Sequence, residues 1–84
     1  MREEGIVTGQ PTRLLHSWCI QVRLNSGMLM EFEMVSTKCD IYANERISFI
    51  FYPPSQDGDL PIAREIYSFT RGKKVYHKHL FFRW

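Results

Sequence analysis

Apolar and polar residues alternate along residues 18–24 and again along residues 28–34, with a short polar break between the two runs. Alternation with a period of two is typical of β-strands that bury one face. A three-residue loop, Asn25-Ser26-Gly27, sets the apolar faces of both runs on the same side, and glycine suits the left-handed position that ends such a loop. The pattern therefore predicts a β-hairpin with Trp18, Ile20, Val22, Met30 and Phe32 buried, and with opposed pairs Trp18–Met34, Ile20–Phe32, Val22–Met30 and Leu24–Met28.

A short run before the hairpin, GIVTG at residues 5–9, has strand character and leads to a proline at position 11. Because proline has no amide hydrogen for a sheet ladder, the strand bends or ends there. Two interpretations remain open for residues 12–17. They continue one long, bent strand into the hairpin, or they form a separate short strand and loop.

Two segments after the hairpin are strand candidates. Residues 46–52, RISFIFY, are β-branched and aromatic with apolar residues on both faces, which predicts a central strand covered on both sides. Residues 60–70 fit either a helix or a strand, and their isoleucine, tyrosine and phenylalanine content favours the strand. Residues 36–44 are expected to form a loop or one helical turn. Residues 71–73 are expected to form a turn, and residues 75–84 a last strand or an ordered tail.

Five or six short strands without a clear helix predict an all-β fold, a small antiparallel barrel formed by a single domain over residues 1–84. The segments GIVTG, the hairpin, ERISFIFYPP and PIAREI resemble the strand pattern of S1-like and cold-shock-like domains, which are OB-folds. The resemblance covers residues 5–69 and concerns the pattern alone, since the aromatic RNA-binding motifs of cold-shock domains are absent. An SH3-like barrel is the alternative.

Length and composition exclude several classes of protein. With 84 residues it has room for one small core. The sequence contains no run of 18 apolar residues, the length that a membrane-spanning segment needs. The charged start Met1-Arg2-Glu3-Glu4 is unlike a signal peptide. Two cysteines are too few for a disulfide scaffold, so we expect reduced thiols and a cytoplasmic protein.

Few residues point to catalysis or metal binding. Glu31 and Glu33 share the outer face of a strand, but a barrel of this size offers little cleft for a carboxylate pair. His77 and His79 have a spacing that can chelate a metal, yet no CxxC or HExxH motif accompanies them. We therefore expect no enzyme activity, no catalytic residues, no cofactor and no metal.

Charge is distributed unevenly along the chain. Six of the eleven lysines and arginines lie between residue 64 and the last residue, beside a single acid, Glu65. Aromatic residues interleave with these cations, and that combination is typical of surfaces that bind single-stranded nucleic acid. The competing interpretation is that the aromatic residues are buried and the cations only solvate the outer surface. The candidate nucleic-acid-binding residues are Arg71, Lys73, Lys74, Tyr76, Lys78 and Arg83.

Two classes of function follow from the sequence. The first is a small nucleic-acid-binding barrel, for DNA or RNA. The second is a protein-interaction module, an adaptor or inhibitor of a larger protein or a homodimer, which uses exposed aromatic residues or an unpaired edge strand. Neither class involves a membrane.

Overall fold

The computed structural model describes residues 1–54 and 56–78, and their regular structure is entirely β. The strands are β1 (Arg2–Val7), β2 (Thr12–Arg13), β3 (Trp18–Leu24), β4 (Leu29–Met34), β5 (Arg46–Tyr52), β6 (Ile62–Ser68) and β7 (Lys73–His77). Over these ranges no helix has the length and apolar character needed to cross a membrane.

Hydrogen bonding between the strands closes into a ring, so the predicted small all-β barrel is confirmed. β1 pairs with both β3 and β5, β3 pairs with β4, and β5 pairs with β6. The ring closes where β6 meets β4 through Glu33 and Ile62, and this pair is parallel. The sheet is therefore mixed, whereas the sequence predicted a wholly antiparallel barrel. β2 pairs with β3, and β7 pairs with β6.

The hairpin has the predicted register, with Trp18 opposite Met34, Ile20 opposite Phe32 and Val22 opposite Met30. Its turn is also as predicted. Gly27 has a φ of 95°, and the Leu24 amide donates to the Met28 carbonyl at 2.8 Å.

Burial within the hairpin differs from the prediction at two positions. Ile20, Val22 and Phe32 are buried, whereas Trp18 and Met30 are half-buried and pack against the edge of the core. Trp18 pairs with Arg13 of the two-residue strand β2, and the Arg13 guanidinium sits 5.4 Å from the centre of the Trp18 ring.

The core fills the inside of the ring with apolar side chains. Phe32 and Phe49 stack with their ring centroids 4.4 Å apart, and Phe51 packs 5.7 Å from Phe49. The buried apolar residues are Val7, Ile20, Val22, Leu24, Phe32, Met34, Ile41, Ile47, Phe49, Phe51, Ala63 and Ile66. They come from five strands and from the loop after β4, so the core depends on closure of the ring.

The segment at residues 60–70 forms a strand as predicted, but its alternation is interrupted. Ile50 pairs with Glu65, while its neighbour Phe51 pairs with Ala63, so Arg64 is an extra residue in β6. Regular strand alternation would place Ala63 and Ile66 on opposite faces. Both are buried, because this β-bulge shifts the alternation by one residue.

The connections settle the two remaining alternatives. β1 ends at Val7 and β2 is a separate short strand, so the long, bent first strand is not formed. Residues 36–44 form a loop that inserts Ile41 into the core and ends at Asn44, whose φ is 70°.

Candidate nucleic-acid interface

The candidate binding residues lie on β7 and on its flanks. Lys73 and Lys74 begin the strand with exposed side chains, Tyr76 is half-buried, and Lys78 follows the strand. Lys78 donates its backbone amide to the Arg64 carbonyl at 2.9 Å. The sixth candidate, Arg83, lies outside the described residues, as do His79 and the last aromatic residues.

Arg71, in the turn before β7, is held in a network of ion pairs. Its Nε lies 2.5 Å from Glu45 Oε2 and its Nη1 lies 2.9 Å from Asp40 Oδ1. Nη2 donates to the other Glu45 oxygen and to the Asp40 carbonyl, and the guanidinium sits 5.1 Å from the centre of the Tyr42 ring. These hydrogen bonds to Glu45 and Asp40 raise the pKa of Arg71. The geometry gives Arg71 an anchoring role, since its donors point at the protein.

Tyr76 connects β7 to the end of β4. Its hydroxyl donates to the Val35 carbonyl at 2.9 Å, and its ring packs against the core. Burial raises the pKa of Tyr76, although the hydrogen bond to Val35 acts in the opposite direction. Because the Tyr76 ring is partly covered, it offers less surface for a stacked base than an exposed aromatic ring does.

The two lysines of β7 approach carboxylates without being buried. Lys73 Nζ lies 4.0 Å from Asp40 Oδ2, and Lys74 Nζ lies 3.5 Å from Glu65 Oε1. The other Glu65 oxygen is 3.3 Å from His77 Nδ1. More than half of each lysine side chain is exposed, and exposed ion pairs of this kind contribute about 0–1 kcal/mol. Both lysines can therefore exchange a carboxylate for a phosphate at little cost.

Three aromatic rings lie on the outer face of β5 and β6 and just beyond β6. Tyr52, Tyr67 and Phe69 are exposed over 37%, 38% and 44% of their surfaces. Tyr67 and Phe69 meet edge to face, with ring centroids 5.3 Å apart. Each ring thus keeps a surface that a planar ligand can contact.

Cations surround these rings. The Arg64 guanidinium lies 5.4 Å from the centre of the Tyr52 ring. Arg46 is exposed at the start of β5, where its carbonyl accepts the Phe69 amide at 2.9 Å. Lys74 pairs directly with Tyr67 across β6 and β7. We define the aromatic–basic face as Arg46, Tyr52, Arg64, Tyr67, Phe69 and Lys74.

Within this face, Lys74 alone is among the candidate residues that the charge pattern of the sequence predicts. The available signal was strand alternation, which places Tyr67 and Phe69 on one face, but Ile62, Ile66 and Phe69 in the same segment also fit a helical period. Arg46 and Arg64 gave no local signal. They reach the same surface because β5 and β6 pair and because the bulge at Arg64 turns that residue outward next to Tyr52.

The outer face of β3 and β4 has a different character. Gln21 binds the Thr8 hydroxyl at 2.8 Å, and Glu33 accepts the Ser17 hydroxyl at 2.6 Å. Burial, Glu31 and Glu33 together raise the pKa of the Cys19 thiol, which stays protonated at neutral pH. Carboxylates on this side repel phosphates, so the two sides of the barrel differ in the ligands they favour.

Over residues 1–54 and 56–78 no group of three histidine, cysteine, aspartate or glutamate side chains is arranged to hold a metal ion. His79, the second histidine of the candidate pair, falls outside those ranges.

No protein-family model, curated protein or solved structure matches the chain.

Proposed function

We propose that the protein is a small non-enzymatic β-barrel that binds single-stranded DNA or RNA on its aromatic–basic face. The observation that carries the proposal is the grouping of Tyr67, Phe69, Arg46 and Lys74 at one end of the paired strands β5 and β6, with the Arg64–Tyr52 pair at the other end of the same outer face. The C-terminal basic segment contributes Lys74 to this face, with Lys73 beside it. Lys78 and Arg83 remain further candidates, whereas Arg71 is engaged by Glu45 and Asp40.

Binding would combine two kinds of contact. Unpaired bases stack on Tyr67, Phe69 and Tyr52, since every base has a flat face, and each stacked base contributes about 1–3 kcal/mol. Arg46, Arg64 and Lys74 neutralise phosphates along the strand, which releases counterions and makes the affinity dependent on salt. A duplex hides its base faces, so this surface favours single strands.

The strand order supports an OB-like barrel as the finer description of the fold. In the ring, β1, β3 and β4 follow one another, and β6 lies between β4 and β5. A five-stranded Greek-key barrel of this kind is the OB arrangement, a scaffold that binds oligonucleotides. OB-folds commonly use the face formed here by β3 and β4. We place the ligand on β5, β6 and β7 because that side combines the exposed rings with Arg46, Arg64 and Lys74 against one acid, Glu65, whereas the other surface carries Glu31 and Glu33.

We also propose that the protein acts in the cytoplasm. Cys19 and Cys39 are free thiols, which a reducing compartment preserves.

A titration of labelled single-stranded DNA and RNA at several salt concentrations tests the proposal. If Arg46, Arg64 and Lys74 each contact one phosphate, the logarithm of the affinity falls against the logarithm of salt with a slope of about −2. Arg46→Ala combined with Lys74→Ala should reduce that slope to about −0.7. The matched control, Arg23→Ala on the outer face of β3, should leave it unchanged. Absence of binding at low salt would refute the proposal.

A second candidate function, a protein-interaction module, rests on a different surface. Ile6, Arg23 and Leu29 lie side by side across β1, β3 and β4, and both apolar side chains of this row are exposed. Met28 extends the row at the hairpin turn with 65% of its surface exposed. An apolar row of this kind fits a protein partner or a second copy of the chain.

The two candidates are separable by one substitution. Leu29→Lys should abolish a protein complex or a homodimer measured by light scattering, while leaving nucleic-acid affinity intact. A complex that survives high salt and this substitution would not use the row.

A further inference from the structure

A small cleft opens on the outer face of β3, beside the connection from β1 to β2. The chain advances from Thr8 to Thr12 while β3 advances only from Gln21 to Cys19, so residues 9–11 bulge away from the sheet. The cleft has a volume of about 190 Å³, and its lining side chains are those of Thr8, Gln10, Thr12, Cys19, Gln21 and Glu31. This volume is below the roughly 300–1,000 Å³ of ordinary small-molecule sites, so the cleft suits one side chain better than a whole metabolite.

Glu31 gives the cleft a negative charge. Among the described side chains that line it, Glu31 alone is charged at neutral pH. Over residues 1–54 and 56–78 neither Glu31 nor Glu33 forms an ion pair, although Arg23 lies on the same outer face. Burial, Glu31 and Glu33 together raise the pKa of the Cys19 thiol, so the field of both carboxylates reaches the cleft. A cationic ligand is therefore attracted without having to displace a cation of the protein.

Hydrogen-bond acceptors are available inside the cleft. Within the described part of the chain no protein donor binds the Glu31 carboxylate, whereas Glu33 already accepts the Ser17 hydroxyl at 2.6 Å. The Thr8 hydroxyl donates its proton to Gln21 Oε1 at 2.8 Å, so Thr8 Oγ1 can still accept. A carboxylate with both oxygens open matches the paired N–H groups of a guanidinium, which has five donors and no acceptor. An ammonium group is a point charge and lacks this planar fit.

We propose that the cleft binds the guanidinium group of an arginine side chain that a partner protein presents. Glu31 accepts two N–H groups side by side, and Thr8 Oγ1 accepts a further one. The ligand approaches from solvent, since Glu31 is exposed. The cleft is separate from the aromatic–basic face, so this inference goes beyond the proposed function and does not depend on it.

Ethylguanidinium and ethylurea test the site, because the two molecules have similar size and shape and differ in charge. Isotopically labelled protein is titrated with each at low salt, and the backbone amide signals of Thr8, Gln21 and Glu31 report binding. We expect saturable changes with ethylguanidinium and about three- to tenfold weaker binding of ethylurea, as the loss of charge-assisted hydrogen bonding predicts. Absence of saturable changes with ethylguanidinium would overturn the inference.

Glu31→Gln removes the charge and keeps the length of the side chain. Because Glu31 is exposed and, among the described residues, bonds to no protein donor, the variant should stay folded, which thermal unfolding checks. Its preference for ethylguanidinium over ethylurea should disappear. Glu4→Gln, the same change on β1 and outside the cleft, is the matched control and should keep the preference. A preference that survives in Glu31→Gln would contradict the site.

Further ligands identify the source of the guanidinium group. N-acetylarginine methylamide mimics an arginine within a protein, and it should bind at least as tightly as free arginine, because the cleft has room for the side chain alone. Tighter binding of free arginine would overturn the assignment to a partner protein. Guanosine also presents adjacent N–H groups, but without a charge. Tighter binding of guanosine than of ethylguanidinium would overturn the assignment to a guanidinium.

Discussion

Gly5 is the residue at which β1 changes partner. It pairs with Leu24 of β3 on one side and with Ile47 of β5 on the other, so two strands approach it at once. A Cβ atom placed on Gly5 would lie 2.6 Å from Val22 Cγ1 and would collide with the Arg23 carbonyl oxygen. The barrel closes at this point only because the residue has no side chain.

Gly5→Ala is therefore expected to destabilise the protein. Because the obstacle includes backbone, the strands have to separate, and we expect a loss of about 1–3 kcal/mol in the free energy of unfolding, as for overpacked sites. Urea denaturation measures it. Gly9→Ala is the matched control, since no heavy atom lies within 4 Å of its added Cβ. Equal stability of the two variants would mean that β1 does not close the ring as described.

Of the two glycines Gly5 and Gly27, the structural role of Gly27 can be predicted from the sequence and that of Gly5 cannot. The role of Gly27 follows from local information, because the alternation on both sides fixes the loop length and the loop length requires a left-handed residue. Gly5 offers no such signal. Its requirement arises from two strands that are distant in the sequence and that meet only when the ring is formed.

At the scale of elements, the loop after β4 is fastened to the turn before β7. Glu45 is buried, and it accepts hydrogen bonds from Arg71, from the Ser68 hydroxyl at 2.8 Å and from the Tyr42 amide at 2.9 Å. Burial alone would raise the pKa of Glu45, but these hydrogen bonds outweigh it and lower the pKa. The carboxylate therefore joins the loop, β6 and the turn at Arg71 in its ionised form.

This arrangement predicts a dependence of stability on pH. Since the pKa of Glu45 is lower in the folded state, its stabilisation is complete above the unfolded value of about 4.3 and is lost as the pH falls through the folded value. Glu45→Gln should cost about 1–3 kcal/mol at neutral pH and should weaken the pH dependence below about pH 5. Asp57→Asn, in an exposed loop, is the control. An unchanged acid transition in Glu45→Gln would contradict this account.

The elements were predicted better than their combination. The hairpin register follows from alternation and the strand at residues 46–52 follows from its β-branched and aromatic content, and both are confirmed. The bulge at Arg64 was not predictable, because an extra residue in a strand is visible only against its partner. The candidate site was affected in the same way. The distribution of charge along the sequence pointed to β7, but the exposed rings of Tyr67 and Phe69 lie on and just beyond the neighbouring strand β6. Cations reach these rings only because β6 pairs with β5 and β7.

At the scale of the whole molecule, the barrel separates its surfaces by chemistry. The outer side of β3 and β4 carries the carboxylates of Glu31 and Glu33, whereas the side formed by β5, β6 and β7 carries the aromatic–basic face, with the carboxylate of Glu65 beside Lys74. The order of the strands along the chain and the count of charges do not predict this difference between the two sides. It depends on which strands are neighbours in the folded sheet. The proposed function depends on this separation.

Chemical-shift mapping with isotopically labelled protein and oligothymidine tests that claim most directly. The account predicts that backbone amide signals change along β5 and β6, at Phe69 and at the start of β7, and that the outer residues of β3 and β4 are unaffected. Tyr67→Ala together with Phe69→Ala should remove most of the response. Changes confined to Gln21, Glu31 and Glu33, or no change at saturating oligonucleotide, would contradict a single-strand site on the aromatic–basic face.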